Sequence, residues 1–176
     1  MKRVFIINGK ARVGKDKFIK YVSKYSRVVN YSSVQVLKDI ATEYFGYDDD
    51  IKTDKDRKFI ADLKALTTEY CDFCFENTIK EYNRFVRSAD DIMFIHCREP
   101  KEITRIMDEI IGSKSILITA DYRVTKSVDN NASDRNVKDF NYDIVISNDG
   151  TLEDLNCKAR EFVKQLYFDS LVPNYE

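Results

Sequence analysis

An α/β protein, with a five-stranded parallel sheet covered by helices on both faces, is what the sequence predicts. Two observations carry this. Five short, continuously apolar runs alternate with segments of helical periodicity, and continuous runs are what strands buried on both faces require. The first run also leads through a glycine-bearing loop directly into the first helical pattern, in the order strand, loop, helix. With 176 residues, 43% hydrophobic and 34% charged, the chain has enough material for one well-buried core, so a single domain over 1–176 is expected.

The apolar run Val4 to Ile7 is the first strand, and from Gly14 the spacing turns helical through Phe18, Ile19, Val22 and Tyr25. "RVVNYSS" reads as a second strand, followed by a helix from about Val34 to Phe45 that stops near Gly46. The acidic stretch "DDD" and residues 52 to 56 make an exposed connection, with Thr53 or Asp54 able to cap the next helix. Phe59, Leu63, Leu66, Tyr70, Phe73, Cys74, Ile79, Tyr82 and Phe85 then mark one long amphipathic helix or two shorter ones in line.

"DIMFIHC" is a third buried strand. The next helix is bracketed by Pro100 at its start and Gly112 past its end, with Ile103, Ile106, Met107 and Ile110 inward. "KSILITA" and "YDIVIS" are the fourth and fifth strands, and Thr151 and Asp154 have capping-box spacing at the start of the last helix. Residues 121–142 have no clear period and mix Arg, Lys, Asp and Asn, which predicts a mobile loop or short helix over a site.

Charge excludes some functions. Lys and Arg number 29 against 30 Asp and Glu, a net charge of −1, so no global field draws the chain to nucleic acid or membrane. Locally, residues 1–27 carry nine Lys and Arg against the single acid Asp16. No leader-like or membrane-length apolar stretch is visible, and a cytoplasmic location is expected. Cys71, Cys74, Cys97 and Cys157 then read as reduced thiols. The lone C-x-x-C of Cys71 and Cys74 reads as one-turn spacing on a buried helix face rather than half a zinc site.

The basic excess surrounds "NGKARVGKD", residues 8–16. Its Gly9-x-x-x-x-Gly14-Lys15 spacing is that of a Walker A phosphate loop, in which backbone N–H groups at a helix N-terminus line a concavity for an anion. Gly9 and Gly14 allow the backbone turns, and Lys10, Ala11, Arg12 and Val13 complete the cradle. Lys15 would reach the β- and γ-phosphates. Asp16 stands where Ser or Thr normally holds magnesium. A carboxylate beside triphosphate argues for an intervening Mg2+, bound directly or through water, but an acid in a first helical turn also suits the helix dipole without metal.

The Asp-ended loop "GKARVGKD" resembles the G-K-x-x-x-G-K-D loop of animal-type phosphomevalonate kinases, and similar loops occur in phage-type deoxynucleoside monophosphate kinases. In those families a strand ends in Asp-x-Arg, an acidic residue lies in a mobile lid, and a D-x-V-I-x-N-x-G strand and turn precede the final helix. Here "HCR" stands at 96–98, "NNASDR" at 130–135 and "DIVISNDG" at 143–150. One departure is His96, which occupies the position of the family's Asp and puts the metal arrangement in question. The imidazole reads as a ligand, a proton carrier or a strand-end residue satisfied by local hydrogen bonds.

The resemblance implies a three-layer α/β/α P-loop kinase fold and an ATP- and Mg2+-dependent transferase acting on a small phosphorylated acceptor. A (deoxy)nucleoside monophosphate comes first as acceptor and phosphomevalonate second. A nucleotide-binding regulatory protein without kinase activity is a further alternative. Arg98 matches the family's arginine and would grip the acceptor phosphate through two oxygens. Arg123 and Arg135 flank the lid-like segment 121–142 and would close over the transferring phosphoryl group. Arg57 opens the helical acceptor-binding region 53–88 and, like Arg12, could contact the acceptor. Asn148 and Gly150 lie where the resembling kinases contact adenine, largely through backbone.

Overall fold

The computed structural model describes residues 2–51, 53–120 and 136–169. The chain divides into two compact units, Met1–Asn30 with Ala89–Glu176, and Tyr31–Ser88. Among the described residues, no helix is long and apolar enough to cross a membrane.

The first unit is built on a five-stranded parallel sheet. Strands β1 (Arg3–Asn8), β2 (Val28–Ser32), β3 (Ile92–His96), β4 (Lys114–Thr119) and β5 (Ile144–Ser147) lie in the order β2-β3-β1-β4-β5. The central strand β1 pairs in parallel with β3, Phe5 opposite Phe94, and with β4, Ile7 opposite Ile116. β4 pairs in parallel with β5, Ile118 opposite Ile146.

Side chains alternate across a strand, so the apolar runs supply two buried faces. Phe5, Ile7, Phe94, Ile116, Ile118 and Ile146 share one core with residues of α1 (Lys15–Val22) and α6 (Leu152–Asp169). There the Phe162 ring lies 5.0 Å from Phe5 and 5.5 Å from Phe18, both edge-on, the arrangement the ring quadrupoles favour. α5 (Pro100–Glu109) packs against β1 and β4. It begins on Pro100, whose missing N–H would have had no helical partner in any case, and buries Ile103 and Ile106 while Met107 is half-buried. Helices on both faces make three α/β/α layers, as the sequence predicts.

The second unit holds α2 (Gln35–Phe45), α3 (Asp54–Cys71) and α4 (Phe73–Arg87), each packed against the other two. Thr53 and Asp56 close a capping box on α3, so the cap is Thr53 rather than Asp54. The long apolar pattern resolves into two helices because Asp72 adopts φ 55°, a left-handed turn that ends α3 and starts α4.

That break corrects two expectations. Cys71 is exposed while Cys74 is buried, because a left-handed residue between them removes the shared helix face. α3 has no buried residue, and Leu66 and Tyr70 are 65% and 87% exposed, so the predicted inward stripe is not maintained along it. Residues 121–135 lie outside the described ones, and the sequence's lid-like segment is seen only from 136, where Asn136–Lys138 make one 3-10 turn.

Candidate active site

The G-x-x-x-x-G-K loop, residues 9–15, connects the carboxyl end of the central strand to the first turn of α1. Its two glycines are there for backbone reasons. Gly9 has φ 148°, and a Cβ on it would stand 2.5 Å from the Ile118 carbonyl oxygen. Gly14 has φ 98° and a Cβ there would stand 2.4 Å from Asn148 Nδ2. Neither position tolerates a side chain without displacing a neighbour, so the close approach of the backbone is built into the fold. Between them Arg12 adopts φ 64° with an exposed side chain, an uncommon conformation for a non-glycine residue, and Val13 is buried as the loop's apolar anchor.

Lys15 reaches back over the loop. Its ammonium donates to the carbonyls of Gly9 at 2.6 Å and Lys10 at 2.9 Å, which holds the positive charge at the loop's first turn. Gly14 is the N-cap of α1 and supplies no side-chain acceptor, so the cap position leaves the positive end of the helix dipole facing the loop. The Asp16 side chain, one residue on, is 84% exposed.

β3 brings His96 to the same end of the sheet. Its Nε2 lies 2.7 Å from Asn30 Oδ1 and 3.6 Å from Asp16 Oδ1. With the Asn30 oxygen as acceptor, Nε2 is the donor, which orients the ring through a partner on the neighbouring strand. The strand-end histidine thus has a hydrogen-bond partner, supplied by β2 rather than by its own stretch of chain.

Arg98 follows β3 and is half-buried. Its carbonyl accepts from Asn8 Nδ2 at 3.1 Å. The other Nδ2 proton of Asn8 goes to the Tyr142 hydroxyl at 2.7 Å, and Asn8 Oδ1 accepts from the Gly9 N–H at 2.8 Å. The Tyr142 hydroxyl donates onward to the Val137 carbonyl at 2.9 Å. Burial, the largest influence, pushes the Tyr142 hydroxyl up to about 12, so it remains a proton donor through the neutral range.

Asn148 is buried at the exit of β5. Its N–H donates to the Thr119 carbonyl at 2.7 Å, and its Nδ2 donates to the Val13 carbonyl at 2.8 Å. Its side chain therefore braces the loop 9–16, while the resemblance puts the adenine contact at this position largely on backbone. Gly150 lies in the turn closed by the Thr151–Asp154 capping box, where a Cβ would stand 2.5 Å from Asp154 Oδ2.

The fold brings together the loop 9–16, Asn148 and the Arg98 turn within one unit. Arg57 belongs to the three-helix unit, exposed at the start of α3, with Nη1 3.0 Å from Asp54 Oδ1. Arg123 and Arg135 lie outside the described residues. Asn8, Asn30 and Tyr142 are the additions that geometry makes. A polar residue closing an apolar strand beside a loop glycine is a local signal for Asn8, but nothing local marks Asn30 or Tyr142.

The donor set suits magnesium in one respect. Mg2+ is commonly held by one or two carboxylates together with phosphate oxygens and water, and Asp16 offers an exposed carboxylate at the end of the glycine loop. Among the described residues no group of three or more His, Cys, Asp or Glu is placed to hold a metal ion by itself. Asp16 would therefore hold the ion only jointly with a bound phosphate.

No family model matches this sequence, and no curated protein matches it. Solved structures do overlap it. TT1252 from Thermus thermophilus is 15% identical, with 94% of this chain and 98% of that one covered at a TM-score of 0.52. Shikimate kinase from Aquifex aeolicus is 10% identical over 96% and 98% of the two chains, at a TM-score of 0.48. A gluconokinase from Sinorhizobium meliloti 1021 is 12% identical over 96% and 97%, at a TM-score of 0.46. The likeness to the Thermus protein is one of fold, an α/β architecture on a five-stranded parallel sheet.

Proposed function

We propose that this chain is an ATP- and magnesium-dependent small-molecule kinase whose acceptor already carries a phosphate, with a (deoxy)nucleoside monophosphate as first acceptor. One observation carries the reading. A G-x-x-x-x-G-K loop stands at the carboxyl end of the central strand, its glycines in conformations and spaces that exclude a Cβ, with the Lys15 ammonium drawn over it. Open parallel sheets bind ligands at that end.

In this reading the loop's backbone N–H groups and Lys15 hold the β- and γ-phosphates, and their charge opposes the negative charge spread over the equatorial oxygens in the transition state. Asp16 is the residue that would hold Mg2+, which when bound neutralises phosphate charge. Arg98 grips the acceptor's own phosphate as a planar fork and so aims its nucleophilic oxygen at the transferred phosphoryl group. Arg123 and Arg135 would add positive charge over that group, Arg57 and Arg12 would meet the acceptor, and Asn148 and Gly150 would line the adenine end. Segment 53–88 would form the acceptor-binding region of a single kinase domain. The basic N-terminal region around the loop suits two phosphorylated ligands.

The test is a panel of nucleoside monophosphates, deoxynucleotides and phosphomevalonate, each offered with ATP and magnesium while ADP release is measured. Release with a monophosphate supports the reading, and release with phosphomevalonate alone moves the acceptor to the second family. His96 in the place of the family's Asp favours the regulatory alternative. Tight ATP binding without release for any acceptor would establish that alternative.

A further inference from the structure

We propose that Asn8 and Tyr142 act together as positioning residues that hold the Arg98 turn in register with the phosphate loop. The role rests on the kinase reading for its consequence in turnover, and on geometry for the clamp itself.

Asn8 is fully buried, and its carboxamide reaches three separate pieces of chain at once. Its oxygen accepts from Gly9, the first residue of the phosphate loop, at 2.8 Å. One amide proton goes to the Arg98 carbonyl at 3.1 Å and the other to the Tyr142 hydroxyl at 2.7 Å. The set admits one orientation of the amide. Turned over, it would set its oxygen against the Arg98 carbonyl, two acceptors facing each other, and its NH2 against the Gly9 N–H, two donors.

Tyr142 completes the proton order. Because its hydroxyl accepts from Asn8, its own proton is directed to the Val137 carbonyl at 2.9 Å. Val137 is itself buried, and Phe140 meets the Tyr142 ring edge-on at 5.0 Å. The segment from 137 to 142 is thereby fastened to β1, and through Asn8 to both the loop and the Arg98 turn. Buried donors and acceptors left without partners are costly, so these bonds hold or fail as a set.

The functional consequence lies in the pieces that Asn8 joins. Lys15 and the loop address the nucleotide phosphates, whereas Arg98 addresses the acceptor. A carboxamide bonded to Gly9 N–H and to Arg98 C=O fixes the distance between those two backbones. Phosphoryl transfer needs the two reacting groups in line, so loosening this distance should impair acceptor use before nucleotide binding.

The test is Tyr142→Phe, which keeps the ring and removes the hydroxyl, with Asn8→Ala and the double variant alongside. Three quantities are read: amide hydrogen exchange at Gly9 and across residues 98–99, the ATP dissociation constant by calorimetry, and acceptor KM against kcat. Expected for Tyr142→Phe are exchange about fivefold faster at those amides, ATP affinity within about twofold and acceptor KM raised about tenfold. Because the set is already broken in Asn8→Ala, the double variant should be no worse than that single one.

Unchanged exchange at Gly9 and 98–99 overturns the clamp. Faster exchange with unchanged acceptor KM, or ATP affinity lost in equal proportion, overturns its positioning role. A parent protein that turns over no acceptor overturns the kinase reading instead, and the exchange measurement then decides the clamp on its own.

Discussion

The Nε2 of His96 stands 3.6 Å from Oδ1 of Asp16, an imidazole at the end of β3 facing a carboxylate in the first turn of α1. In the kinases that the loop resembles, the strand residue is itself an acid. Here the strand supplies an imidazole oriented by Asn30, and the carboxylate of the pair is carried by the loop. Mg2+ prefers oxygen ligands, so Asp16 is the member of this pair suited to the ion.

Asp16→Asn keeps the size and exposure of the side chain and removes its charge. Turnover at limiting magnesium should fall at least about tenfold, with the magnesium concentration for half-maximal rate raised. The melting temperature should stay put, since the side chain is 84% exposed. A magnesium titration of ADP release on both proteins checks this, and an unchanged half-maximal concentration would remove Asp16 from the metal site.

Lys15→Ala should lower turnover by about a hundredfold or more, the scale lost when a charge-stabilising donor is removed. Folding should lose only about 1 to 2 kcal/mol, because the ammonium leaves two neutral carbonyls behind, one on buried Gly9 and one on half-buried Lys10. Urea unfolding and ADP release, measured on the same preparation, separate the two effects.

Two left-handed glycines make an internal comparison. Gly46 has φ 69° and open space around it, so Gly46→Ala should cost about 1 kcal/mol of backbone strain. Gly14 has φ 98° with Asn148 Nδ2 in the way, so Gly14→Ala should cost about 2 to 3 kcal/mol as the Asn148 brace on Val13 is displaced. Denaturant midpoints for both variants give the comparison, and equal losses would show that Asn148 yields at no cost.

Asp143 makes part of the stability depend on acid pH. Burial raises its carboxyl pKa, but the N–H and hydroxyl of Ser115, both at 2.7 Å, outweigh that and hold it below the ordinary 3.8. A carboxylate more acidic in the folded chain contributes stability above the unfolded pKa and loses it as pH falls through the folded one. Ser115→Ala keeps the backbone bond and loses the hydroxyl. It should cost about 1 kcal/mol at pH 7 and flatten the loss of stability below about pH 4. Urea unfolding across that pH range measures both.

Much of the framework is local in origin and was legible residue by residue. Val4 to Ile7 form a strand because a continuous apolar run suits a doubly covered position. Thr53 and Thr151 start helices because a hydroxyl and an acid three residues on satisfy orphan N–H groups. Gly9 to Lys15 form a loop because two residues without a Cβ permit it. Each of these features depends on neighbours a few positions away, which periodicity and spacing encode.

The helix break at Asp72 was less legible, since an aspartate with φ 55° between two apolar helical patterns leaves the spacing almost undisturbed. The pairs that give the site its shape are more remote still. Asn8 meets Tyr142 across 134 positions, Asn148 meets Val13 across 135, and His96 meets Asn30 across 66. These contacts follow from the strand order β2-β3-β1-β4-β5, which sets the exits of β1, β3, β4 and β5 at one end of the sheet. Composition and periodicity specify that strands form and which faces are buried. Which strand lies beside which is settled only when the whole sheet packs, and from that packing come the partner of Asn8 and the carboxylate opposite His96.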